Sequence, residues 1–207
     1  MITLAFLLTA IVVCIAPGTG VIYTLSVALG RGWASAMAAV VGCTAGILPH
    51  LAAAVLGLAA VLHASALAFQ VVKFAGVAFL LWMAWKTLRQ GARLDGVRGE
   101  RGGAGPVAIA VRGLLLNVLN PKLSVFFLAF LPQFTDPARG DVALQMTLLG
   151  AVFCAITFVV FTLYAAFASA ARSKVLQSPQ VMKWLNRAFA AAFGALALRL
   201  AGEGRGG

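Results

Sequence analysis

Between Arg112 and Pro132 runs an apolar stretch broken at its middle by Asn117, Asn120, Pro121 and Lys122. Ten residues separate Lys122 from each end, about 15 Å of helix and half the hydrocarbon thickness of a bilayer. A membrane-spanning helix must satisfy its backbone internally. A proline removes one amide and crowds a preceding carbonyl. A cation near the midplane costs about 2.5–3.5 kcal/mol on insertion scales, and more in simulations. A chain that keeps a breaker and a cation there must hold both in a polar, protein-lined interior. Such placements mark solute or ion pathways.

The surrounding composition fits a membrane solvent. Hydrophobic residues make up 62% of the chain and charged residues only 10%, with a mean hydropathy of +1.01. Soluble domains carry about 25% charged residues. The net charge of +11 would suggest nucleic acid in a soluble protein. Here loop lysines and arginines that set membrane orientation account for it, and no nucleic-acid partner is expected.

Apolar stretches of spanning length fall at about 3–28, 35–60, 66–87, 108–131, 142–170 and 185–201. The expected fold is therefore an all-α integral membrane protein of six transmembrane helices, a single transmembrane domain over 1–207. The first and fifth stretches exceed the ~20 residues a span needs, which predicts tilt, a break or an interfacial extension. Residues 89–107 are rich in glycine and carry Arg93, Asp95, Arg98, Glu100 and Arg101, and they read as a hydrophilic linker. Met1 to Ala16 lacks a basic leader and an A-x-A site, so it is expected to stay as the first helix. Eleven of the sixteen basic residues, Arg31, Lys86 and Arg187 among them, flank alternate connections. Those connections, and the linker with them, are expected on the cytoplasmic side with both termini outside.

Three crossings separate segments 1–3 from segments 4–6, so the halves would run in opposite senses, as a 3+3 inverted repeat. Pro17, 14 residues before Arg31, and Pro121, 11 before Pro132, interrupt the first segment of each half. Paired interruptions point to a transporter binding site. The candidate substrate-binding residues are Pro17, Gly18, Thr19 and Gly20 in one half and Asn117, Asn120, Pro121 and Lys122 in the other. Lys122 could meet a substrate carboxylate, or be held by backbone carbonyls at the break. Asn117 and Asn120 share a face if the helix persists that far, and could receive substrate or cap the break. Every acid (Asp95, Glu100, Asp136, Asp141, Glu203) falls in a loop or a terminal stretch. His50, mid-segment, is then the candidate for proton coupling by elimination, with a neutral histidine bonded to a neighbouring helix as the alternative. Gly42 and Gly46 form a GxxxG step suited to close packing. Lys73 is expected to snorkel. Trp82, Trp85 and Trp184 read as interfacial anchors.

Cys14, Cys43 and Cys154 lie in apolar segments without CxxC or metal-ligand spacing, and read as small hydrophobes. No metal, cofactor or disulfide is expected. No nucleophile–base pair or phosphate loop suggests an enzyme. A membrane thiol relay would need a cysteine in segment 4, where none occurs. A non-transporting accessory membrane protein is the other alternative.

At these residues the chain resembles the LysE/RhtB family of bacterial inner-membrane amino-acid exporters. The resemblance is carried by Arg112-Gly-Leu-Leu-Leu-Asn117-Val-Leu-Asn120-Pro121-Lys122 and its continuation through Phe126-Phe127 to Pro132-Gln133-Phe134. It extends through Gly42, Gly46 and His50, Lys73 with Gly76, Trp85-Lys86-Thr87-Leu88-Arg89, Trp184-Leu185-Asn186-Arg187 and Leu198-Arg199-Leu200. It implies export of amino acids or related small metabolites driven by the proton motive force, and it allows a homo-oligomer. The first segment departs from the family pattern of Pro-Gly-Pro followed by Asn or Asp, reading Pro17-Gly18-Thr19-Gly20. How the substrate's polar groups are held is therefore open. A site without an acid suits neutral or small hydroxylated amino acids better than basic ones.

Overall fold

The computed structural model describes residues 2–16, 18–64 and 105–170, with single helical positions at 71, 74, 78, 81, 82, 85, 187 and 191. The expected third and sixth segments lie almost wholly outside the described residues, as do Lys73, Trp184, Pro17 and most of the 89–107 linker. The described residues form helices without a strand.

Helix α1 (Leu4–Ile15) begins at Thr3, whose hydroxyl accepts the Phe6 amide at 3.2 Å, and closes on Ala16, the residue before Pro17. A residue preceding proline is pushed out of the helical region, and the Ala16 ψ of 127° shows that turn. Helix α2 (Thr19–Arg31) restarts from Gly18 at a bend of 53° to α1. Gly32 alone joins α2 to α3 (Trp33–Ala45), at a φ of +83° that favours glycine. Helix α4 (Leu48–Ala64) continues α3, and Trp33–Gly57 is long and apolar enough to cross a membrane as one helix.

The second broken span repeats the pattern. Helix α5 (Pro106–Val118) starts with a proline in its first turn, where the missing amide costs nothing. Helix α6 (Pro121–Val125) follows at a bend of 50° and runs on through a π-helical turn at Phe126–Phe130 and a 3₁₀ turn at Leu131–Phe134. The long helix α7 (Val142–Ala170) is a second unbroken candidate span. Its N-terminus is capped by the Asp141 carboxylate, which accepts the Ala143 and Leu144 amides at 2.7 and 3.2 Å.

Small residues bring α3 and α5 into backbone contact. A Cβ on Gly42 would overlap the Ala110 carbonyl, and one on Gly46 would lie 2.6 Å from the Leu114 oxygen. From the other side, a Cβ on Gly113 would sit 3.1 Å from the Ala39 oxygen. The glycine step is thus a packing device, as expected for membrane helices that associate by close fit. On the opposite flank, Phe126 stacks on Phe153 at 4.4 Å between ring centroids and Phe127 meets the same ring edge-on at 5.3 Å. These aromatics fix the second break against α7. Leu56, Val107, Leu119 and Phe167 are exposed on the outside. In a multi-pass membrane protein such residues face lipid.

Candidate functional site

The two breaks meet, and each is completed by a side chain from elsewhere. In an unbroken helix the amide of residue 17 would reach the Val13 carbonyl, but Pro17 has no N–H. Lys122 Nζ donates to that carbonyl at 2.9 Å, and also to the Ala16 carbonyl at 2.9 Å. By the same arithmetic Pro121 withdraws a donor from the Asn117 carbonyl. His50 Nε2 lies 2.9 Å from that oxygen and the Asn120 amide 3.0 Å. A carbonyl can only accept, so Nε2 donates to it, and Nδ1 lies 3.3 Å from the Ser124 hydroxyl oxygen. Two more carbonyls at the helix ends are taken by hydroxyls: Thr19 donates to Leu116 at 3.2 Å, and Tyr164 to Ile15 at 2.8 Å.

The asparagines do not share a helix face, because α5 ends between them. Asn120 is the N-cap of α6, its side-chain oxygen accepting the Lys122 amide at 3.1 Å. Its amide nitrogen donates to Asn117 Oδ1 at 3.3 Å. Asn117 in turn donates to the Cys43 carbonyl at 2.7 Å, tying α5 to α3. The glycines of the first break let these groups in. A Cβ on Gly20 would stand 2.5 Å from Asn117 Oδ1, and one on Gly18 would stand 3.1 Å from Lys122 Nζ. Hence Gly20, one of the two departures from the family pattern beside Thr19, has a physical counterpart: the Asn117 amide fills the space that a larger residue at 20 would take.

Lys122 is 4% exposed, and among the described residues its side-chain partners are carbonyl oxygens. The described acids, Asp136 and Asp141, lie in the 135–141 loop, where Asp136 pairs with Arg139 at 3.1 Å. Beside Lys122 is a cavity of about 10 Å³, room for roughly one water. Gly18, Gly20, Asn117, Asn120 and Lys122 form its polar wall, and Phe153, Thr157 and Phe161 of α7 face it with Cys14. This water-sized space between broken helices is too small for an amino acid as it stands.

The structure thus brings together Gly18, Thr19, Gly20, Asn117, Asn120 and Lys122, with His50 on the far side of the Asn117 carbonyl. Thr157 and Tyr164 escape sequence reasoning. The only signal available was a polar atom within the apolar stretch 142–170. Both buried thiols are engaged, Cys14 with the Thr157 hydroxyl at 3.1 Å and Cys43 with the Gly20 carbonyl at 3.8 Å.

Broken apolar helices enclosing a buried ammonium define a multi-pass helical membrane protein with a polar site in its interior. The chain belongs to the LysE type translocator family, whose model matches residues 11–204. It is 34% identical over 190 residues to an uncharacterized membrane protein of Vibrio cholerae serotype O1, covering 92% of this chain and 91% of that one. It is 32% identical over 193 residues, 91% and 90% of the two chains, to a homoserine/homoserine lactone efflux protein of Salmonella typhimurium. With a leucine efflux protein of Klebsiella pneumoniae it shares 26% identity over 164 residues, 77% of each chain. No solved structure matches the chain.

Proposed function

We propose that the protein exports amino acids or closely related small metabolites across the bacterial inner membrane, by alternating access around the breaks at Pro17 and Pro121. The observation that carries this reading is the Lys122 ammonium, buried where two helix breaks meet and held by carbonyls. A substrate carboxylate is a stronger acceptor for that ammonium than a carbonyl is. Its arrival draws Lys122 from the Val13 and Ala16 oxygens and loosens the junction of α1 and α2. The N-terminus of α2, at Gly18 and Gly20, adds a positive half-helix end on the same side. The substrate ammonium meets the Asn117 and Asn120 amides or the released carbonyls.

The inverted-repeat reading is supported by the exchange between breaks. The start of α2 donates to the end of α5 through Thr19, and the start of α6 donates to the end of α1 through Lys122. His50 is the coupling candidate, bonded at both ring nitrogens to groups of the second break. A homo-oligomer and outward-facing termini belong to the same proposal.

The test is efflux of preloaded amino acids from cells expressing wild type or Lys122→Ala, with and without an uncoupler. Wild-type efflux above empty-vector cells, lost with either the substitution or the uncoupler, supports a driven exporter with its site at the second break. Equal efflux from wild type and empty vector for every amino acid tried overturns the reading in favour of an accessory membrane protein.

A further inference from the structure

The cavity beside Lys122 has two unlike walls, and only the polar one is needed to hold the common part of an amino acid. The other is built on α7, where Phe153, Thr157 and Phe161 recur every four residues and so form one stripe. Phe153 packs against the rings of Phe126 and Phe127, which buttress this wall. Thr157 lies between the two rings and is 3% exposed.

The bonding of Thr157 defines what it can recognise. Its hydroxyl donates to the Phe153 carbonyl at 2.9 Å, so its single proton is committed. The oxygen's two lone pairs can only accept, and one of them faces Cys14 Sγ at 3.1 Å. With the threonine proton used, the thiol is the donor of that contact. A thiol is a weak donor, so a hydroxyl brought into the cavity would outcompete it for that lone pair, and the second lone pair is open to it as well.

Resting on the exporter reading above, we infer that Cys14, Phe153, Thr157 and Phe161 form the subsite for the substrate's side chain, and that Thr157 selects a small side chain bearing a neutral donor, a hydroxyl. A cationic side chain would lie beside the buried Lys122 ammonium and be repelled by it. An aliphatic side chain at this subsite would leave Thr157 with its weak thiol partner. Phe153 and Phe161, one turn to either side, limit length and branching.

The experiment uses the purified full-length protein in lipid nanodiscs, with ligand affinity read from thermal-shift titrations. Two near-isosteric pairs are compared, threonine with valine and homoserine with norvaline, and efflux of the same four compounds is measured from cells. Wild type should bind the hydroxylated member of each pair about fivefold to tenfold more tightly, the range of one net hydrogen bond. Thr157→Val should erase that preference while valine and norvaline bind as before, and Thr157→Ser should keep it. Absence of a preference in wild type, or its survival in Thr157→Val, overturns the assignment. Should Thr157→Val fail to accumulate, Cys14→Ala carries the test. Removal of the competing thiol should tighten binding of threonine and homoserine alone, and an equal change in both members of a pair overturns the assignment. A binding preference without efflux of any of the four leaves the subsite standing and removes the exporter reading. Efflux of all four with equal affinities does the reverse.

Discussion

Lys122 donates to the carbonyl of Val13 at 2.9 Å, the acceptor that Pro17 deprives of its helical amide. The lysine therefore does for α1 what one more turn of helix would have done. It does so from another element, and through a side chain that can let go. A buried carbonyl left without a donor costs about 1–3 kcal/mol, so this contact both stabilises the present arrangement and provides the means of leaving it.

Replacing Lys122 by Met should accordingly have two effects. The Val13 and Ala16 carbonyls lose their donor, so thermal stability of the purified protein should fall. Efflux should fall to the empty-vector level even where membrane insertion, followed by immunoblot of membrane fractions, is retained. Normal efflux from an inserted Lys122→Met protein would remove the ammonium from the mechanism.

Gly20→Ala should be destabilising, because the new Cβ would meet Asn117 Oδ1 at 2.5 Å. Removing the obstruction with Asn117→Ala should recover part of that loss. A double-mutant cycle on melting temperature checks this, and strictly additive effects would show that the two residues do not press on each other.

The α3–α5 contact makes a sharper demand. Any side chain on Gly42 meets the backbone carbonyl of Ala110 rather than a side chain that could turn aside. Gly42→Val should therefore lower the amount of folded protein recovered from membranes by more than Gly57→Val, since a Cβ at Gly57 would meet nothing within 4 Å. Equal yields would mean that the helices can separate without penalty.

These contacts show what was legible in the chain beforehand. The breaks, the spans that flank them and the glycine step could be read because proline, glycine and hydropathy act locally, through backbone geometry and lipid solvation. A lysine held by backbone carbonyls was one of two readings for Lys122, and Asn120 as a cap one of two for the amides. Which carbonyls Lys122 would take depends on residues more than a hundred positions away, Val13 and Ala16. Thr157 and Tyr164 were hidden for the same reason. A hydroxyl within an apolar helix commonly bonds its own preceding turn, as Thr157 does, and nothing local tells that it also meets Cys14.

His50 offers a separable prediction. Its Nε2 shares the Asn117 carbonyl with the Asn120 amide, so that oxygen keeps one donor if the ring is removed. His50→Gln should therefore insert and fold. If His50 carries the coupling proton, this variant should keep exchange of labelled for unlabelled amino acid and lose efflux against a gradient. Uphill efflux at the wild-type rate would leave His50 with a purely structural part.

The last prediction separates the charge of Lys122 from its hydrogen bonds. Glutamine at 122 offers two N–H groups to the Val13 and Ala16 carbonyls but no charge to a carboxylate. Charge-assisted hydrogen bonds are roughly twice as strong as neutral ones, so Lys122→Gln should keep more of the wild-type stability than Lys122→Met. Its export of a free amino acid should nevertheless fall by about tenfold or more, the equivalent of ~1.4 kcal/mol. The corresponding amino-acid amide has no carboxylate, and its passage should fall much less. Parallel efflux of an exported amino acid and its amide from the two strains gives the answer. Equal losses would mean that Lys122 serves the helix break alone, and unequal ones that the substrate carboxylate and the α1 carbonyls compete for the same ammonium.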